Sequence, residues 1–151
     1  MTLPFLPNPI LVDTPNKLKN LTESLSTSNL VAVDTEANSL YAYQERVCLI
    51  QFSIPNNDYL VDPIVLEDLS PLGSIFNNPE IEKIFHAAEY DILIMTRDLI
   101  FSFENIFDTM IAARILGRNS VGLRSIMQSE FGVTVNKRNQ KANWGRRPLP
   151  E

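Results

Sequence analysis

One cysteine and one histidine stand among the 151 residues. With Cys48 alone, no intrachain disulfide can form and a cysteine-based zinc site is excluded. With His86 alone, a multi-histidine metal site is excluded as well. Any metal would have to be held by oxygen, which selects magnesium or manganese. Cys48 lies in the apolar run Val47-Cys48-Leu49-Ile50 and is expected to be a small buried hydrophobe rather than a nucleophile. Long apolar runs are also missing, since no stretch approaches the ~20 residues that span a bilayer. Met1 to Val12, with three prolines and no basic residue, fits neither a signal nor a transit peptide, so cytoplasmic residence is the default expectation. Repeats, low-complexity tracts and linkers are absent, and the chain reads as a single domain over 1–151 with residues 1–13 as an N-terminal extension.

What the chain does contain is an ordinary globular composition, 44% hydrophobic and 21% charged, enough to bury a real core. The net charge of −5 argues against a nucleic-acid partner until its distribution is read. Residues 1 to 111 hold sixteen acidic and five basic side chains. From Ala112 to Pro150 the balance reverses, with Arg114, Arg118, Arg124, Lys137, Arg138, Lys141, Arg146 and Arg147 against Glu130. An acidic body with a basic C-terminal third suits phosphate binding, and solvated helix faces are the competing explanation.

Patterning gives a helix capped by Thr14 with Pro15 at its first position and Leu18, Leu21 and Leu25 at helical spacing, closed by Ser26 to Asn29. Strands follow at Leu30 to Asp34, Val47 to Ile54 and Asp58 to Val61, the last two joined by a short turn, which predicts an antiparallel meander. Beyond Asp62-Pro63 strands alternate with helices: a helix from Ser70 to Phe76, a strand from Glu82 to His86, a helix from Ala88 to Leu99, a brief strand from Asn105 to Asp108, and helices from Thr109 to Leu116 and Ser120 to Phe131. A meander followed by such alternation implies an α/β mixed sheet flanked by helices.

The apolar strand Leu30-Val31-Ala32-Val33 runs straight into Asp34-Thr35-Glu36. Strand alternation points Asp34 and Glu36 the same way, where two carboxylates repel unless solvent or a cation relieves them. With eighteen acidic residues, chance supplies about two pairs at this spacing, and Glu80/Glu82 and Glu89/Asp91 are others. Only Asp34 and Glu36 close a continuous apolar strand. In Phe85-His86-Ala87-Ala88-Glu89-Tyr90-Asp91 a strand ends and a helix begins, which places Asp91 near the sheet edge, either favoured by the helix dipole or facing Asp34. Carboxylates gathered in this way suit two magnesium ions about 3.5 to 4 Å apart, the arrangement for in-line displacement at phosphorus.

Val33-Asp34-Thr35-Glu36-Ala37-Asn38-Ser39-Leu40 with Glu45-Arg46-Val47-Cys48-Leu49-Ile50-Gln51 resembles the first motif of the ribonuclease D-like DEDD (DEDDy) 3′–5′ exonucleases. Phe85-His86-Ala87-Ala88-Glu89-Tyr90-Asp91 is similar to their second. Asp108 to Gly117, Ser120 to Leu123 and Asn143-Trp144-Gly145-Arg146-Arg147-Pro148-Leu149 resemble the segments that follow. The resemblance implies a ribonuclease H-like sheet and removal of nucleotides from the 3′ end of RNA or single-stranded DNA by two-metal hydrolysis with Mg2+ or Mn2+. It assigns Asp34, Glu36 and Asp91 as catalytic metal ligands, Leu40 as the apolar side chain against the terminal base and His86 as its neighbour. Arg124, Arg146 and Arg147 are the expected phosphate contacts. Asp108 corresponds to a supportive aspartate. The family's third motif, a tyrosine followed four residues later by a fourth aspartate, lies after the Arg-Arg-Pro-Leu segment and is not in this sequence. The fold is therefore expected without the last family helix, with impaired activity and apolar surface free for self-association. The alternative is a catalytically inactive nucleic-acid-binding or assembly module.

Overall fold

In a computed structural model that describes residues 7–136 and 139–149, the elements run β1 (Ile10–Val12), α1 (Pro15–Ser26), β2 (Leu30–Ala37), β3 (Val47–Ile54), β4 (Asn57–Val61), α2 (Ser70–Phe76), β5 (Glu82–Phe85), α3 (Ala88–Leu99), β6 (Ile106–Asp108), α4 (Thr109–Ile115) and α5 (Leu123–Phe131). The strands form one mixed sheet in the order β1-β4-β3-β2-β5-β6. The antiparallel meander is β2-β3-β4, and β5 and β6 extend it in parallel beyond β2. β2 is thus central, with β3 antiparallel on one side and β5 parallel on the other. No helix of the described residues is long and apolar enough to cross a membrane. Lys137 and Arg138, part of the basic C-terminal third, lie outside the described residues.

Two sequence expectations change. Ile10–Val12 belongs to no free extension, because it pairs in parallel with β4 as an edge strand, Ile10 beside Tyr59 and Val12 beside Val61. Three residues among prolines carry too little periodicity to announce a strand, and only the neighbouring edge makes one. β2 also continues past Asp34 through Ala37, so both acids lie inside the ladder, Asp34 opposite Gln51 and Glu36 opposite Leu49. The register slips between Glu36 and Ala37, whose partner is Val47, which leaves Cys48 as the extra residue of a bulge.

The core lies on one face of the sheet. Thr14 caps α1 by accepting from the Lys17 N–H, and the helix contributes Leu18, Leu21 and Leu25 to the same buried cluster as Val31 and Val33 of β2. α2 adds Leu72, Ile75 and Phe76, and α3 adds Ile94 and Met95. Phe76 holds the hub: its ring centroid stands 5.8 Å from Phe52, 5.2 Å from Phe101 and 4.9 Å from Phe103. The other face, with Ala32, Asp34, Gln51 and Ser53, is half open. One face therefore anchors β2 while the other presents its acids. Phe76→Ala is expected to destabilise the chain by about 3–5 kcal/mol, read as a shifted urea midpoint at unchanged slope.

Candidate active site

β2 carries Asp34 and Glu36 on the half-open face, and its alternation turns Thr35 to the core side. Asp91, in the first turn of α3, is buried and reaches the strand from that second side, where the Thr35 hydroxyl donates to Asp91 Oδ1. The three acids thus stand around one strand segment within electrostatic reach of each other. Among the described residues no three His, Cys, Asp or Glu side chains are gathered as ligands of one metal ion.

All three carboxyls bind protons more tightly than usual. Glu36 is pushed up to about 7, chiefly by desolvation and then by the charges of Asp34 and Asp91. Asp91 rises to about 6 through burial, with Asp34 and Asp108 adding to the shift and the Thr35 hydroxyl opposing it. Asp34 keeps an open side yet is raised by desolvation, against the pull of the Thr35 backbone and of His86. These are hard oxygen donors with an unmet need for positive charge, and in chemistry, though not in closed geometry, the set fits a divalent cation.

The elbow before α3 explains how Asp91 is held. Ala87 adopts a left-handed conformation at φ 64°, uncommon for a residue with a Cβ, and caps α3 with no side-chain bond of its own. Asp108 does the capping from the neighbouring strand. One of its oxygens accepts from Ala87 N at 3.1 Å, Met110 N at 2.8 Å and Ile111 N at 3.2 Å, and the other from Ala88 N at 2.8 Å. A single carboxylate therefore closes the N-termini of α3 and α4 together. Burial would raise it, but the four backbone N–H groups prevail and hold it below the usual range. His86 sits beside this elbow. The Thr109 hydroxyl donates to Phe85 O at 3.0 Å, so at 2.9 Å from His86 Nδ1 its oxygen must accept, which assigns the proton to Nδ1 and leaves Nε2 free.

The expected nucleic-acid contacts separate. Leu40 is 68% exposed in the loop 38–46 that leaves β2, and Arg146 is exposed on the C-terminal segment 139–149. Arg124 is exposed on α5, with nothing tying it to the carboxylates. Arg147 has another task. It grips buried Asp62 through Nε–Oδ2 and Nη2–Oδ1 bonds of 2.6 Å each, and donates to the carbonyls of Cys48, Trp144 and Arg146 at 2.8 Å each. All five of its donors are used inside the protein, so none remains for phosphate. Sequence reasoning missed Thr35 and this clamp. It also missed the reach of Asp108 into α3, although Asp108-Thr109 at a helix start signals half of that role.

An α/β domain of ribonuclease H-like architecture, with an acid pair on its central strand β2 and a third acid on α3, is what the fold and site define. A family model described as 3′–5′ exonuclease matches residues 9–151, and the chain belongs to that family, in its ribonuclease D and Rrp6 branch. Protein RRP6-like 3 of Arabidopsis thaliana is 38% identical over 143 residues, 94% of this chain and 16% of that protein. The catalytic core of RRP6 from Trypanosoma brucei superposes with a TM-score of 0.90 at 32% identity, covering 99% of this chain and 42% of that one. Escherichia coli RNase D, described as an exoribonuclease involved in structured RNA processing, gives 0.89 at 31% identity over 96% of this chain and 39% of its own. The chain thus spans less than half the length of these relatives.

Two outcomes follow from this geometry. Asp108→Ala removes two helix caps at once and is expected to lower stability by about 1–4 kcal/mol, with Asp108→Asn losing less, as read by chemical denaturation. The metal-free protein is expected to melt lower as pH rises from about 4.5 to about 7. Through that window the folded carboxyls of Glu36 and Asp91 retain protons that the unfolded chain has released, so deprotonation favours unfolding, by on the order of 1–3 kcal/mol. Melting curves of Glu36→Gln should lose most of that slope.

Proposed function

We propose that this chain is a 3′–5′ exonuclease domain that removes nucleotides from the 3′ end of RNA or single-stranded DNA with Mg2+ or Mn2+. The observation that carries the reading is the set of three carboxyls with raised proton affinity around β2 in a chain of the exonuclease family. Exonucleases of this family depend on divalent metal ions. Asp34, Glu36 and Asp91 would hold them, two in the full arrangement, and bound cations supply hydroxide at neutral pH and offset charge on the leaving oxygen. The protein's own groups do the positioning. His86 stands within charge reach of Asp34, Leu40 offers an apolar surface to the terminal base, and Arg146 provides positive charge toward the backbone. Asp108 fixes the turn that carries Asp91.

Because Asp91 meets β2 from the Thr35 side, away from the face that carries Asp34 and Glu36, the reading includes low activity for the chain by itself. The same observation favours the second reading, an inactive module that binds nucleic acid or supports assembly. An apolar groove of about 820 Å3 between α3 and α4, lined by Tyr90, Leu93, Phe107, Ile111 and Ile115, is the surface available for self-association, which sedimentation over a concentration series detects.

3′-labelled single-stranded RNA and DNA, with magnesium or manganese, test the enzyme reading. The expected result is slow stepwise shortening from the 3′ end that falls ~100-fold or more in Asp34→Asn and accelerates from pH 6 to 8 as Glu36 and Asp91 become ionised. Negligible cleavage by both proteins, together with salt-dependent binding, would replace it with the binding module.

A further inference from the structure

The loop 38–46 and the segment 139–149 are about a hundred residues apart in sequence and are locked together in space. The Tyr41 hydroxyl donates to Lys141 O at 2.6 Å. Gly145 lies so close to the loop that a Cβ there would stand 3.1 Å from Asn38 Nδ2 and 3.2 Å from Asn38 Cβ. Asn38 in turn accepts from Arg46 N at 2.9 Å, which closes the loop on itself. The Arg147–Asp62 pair pins the segment to the end of β4, and the Arg97–Glu45 pair at 3.0 Å ties the loop to the end of α3.

What this composite presents to solvent is an unusual combination. Tyr43 is 108% exposed and Tyr41 53% exposed, within three residues of each other. Tyr43 has no neighbour to hold its ring, whereas Tyr41 is fixed by its hydroxyl. Around them Arg46, Lys141 and Arg146 are exposed and have no carboxylate partner among the described residues. The loop's one acid, Glu45, is taken by Arg97, and the segment 139–149 contains no acid at all. In a chain whose first 111 residues are strongly acidic, this is a local surface of aromatic rings and uncompensated cations. Rings that accept any base face, beside cations that follow the backbone, are the means by which proteins bind single strands without reading sequence.

We propose that the loop 38–46 and the segment 139–149 together form a stacking platform for single-stranded nucleic acid, with Tyr43 and Tyr41 receiving bases and Arg46, Lys141 and Arg146 receiving phosphates. The platform rests on the nucleic-acid reading of the neighbouring carboxylate site and continues the loop that carries Leu40. The loop begins directly after β2, so a strand whose 3′ end reaches Asp34 and Glu36 passes the platform with its preceding nucleotides. Single-strandedness is then required upstream of the cut, because paired bases have no free faces for the two tyrosines.

The test is equilibrium binding of fluorescein-labelled U12 to the 151-residue chain by anisotropy, in EDTA so that nothing is cleaved. Tyr43→Ala, whose side chain packs against nothing, is expected to weaken U12 binding about tenfold, one base stack's worth. The double variant Lys141→Ala/Arg146→Ala is expected to flatten the log affinity against log salt slope by about 1.4, two phosphates on a single strand. Wild-type affinity in both variants overturns the platform while leaving the nucleic-acid reading in place. So does binding that appears only with magnesium and ignores the variants, or equal affinity for a duplex of the same length. No binding of U12 by the unaltered chain, with or without magnesium, removes both readings together.

Discussion

Three carboxyl groups are held around one strand segment, one of them, Asp91, buried, and the rest of the domain is arranged to tolerate that. Glu36 and Asp91 prefer their protons well above the usual carboxylate range, largely because solvent has been withdrawn. The restraints are local. Thr35 ties Asp91 to the strand, Asp108 fastens the helix that carries it, and the apolar underside of β2 is buried in one core with Leu18, Leu21 and Leu25. Strain at a place built to meet a ligand is a common use of folding stability, since binding can relieve it.

That arrangement also shows what the neighbouring strand contributes. β6 is only three residues long, yet its last residue governs two helices, one leading toward Asp91 and one leading away. A longer side chain or an uncharged one at 108 would reach fewer of the four N–H groups. The elbow is thus a joint in which a left-handed Ala87 is made affordable by bonds that come from outside its own helix.

The legibility of this protein in its sequence follows the range of the interactions. α1 announces itself through Thr14, Pro15 and the leucine spacing because all of its signals are local, and the meander follows from apolar runs broken by Asn56 and Asn57. β1 is silent because its partner β4 lies some fifty residues away. At the site, Asp34, Glu36 and Asp91 could be picked out by type and position, and the family motifs supply their order. The side from which Asp91 approaches could not be read, since it depends on how α3 packs against the core. Arg147 illustrates the same limit. An arginine beside another arginine reads as a phosphate contact, and only the folded chain reveals buried Asp62 and the carbonyl freed by the Cys48 bulge.

The contact between Asp62 and Arg147 spans 85 residues of chain. Closing so long a loop has no local reward, and its entropic penalty is met only once the receiving surface, the paired ends of β3 and β4, already exists. The segment 139–149 thus needs the sheet as its docking surface, and it adds the Tyr41–Lys141 contact to a loop that Asn38 and Glu45 already hold. The acids of β2 are thus set by the sheet itself, whereas the surface beside them is completed by a segment from the far end of the chain.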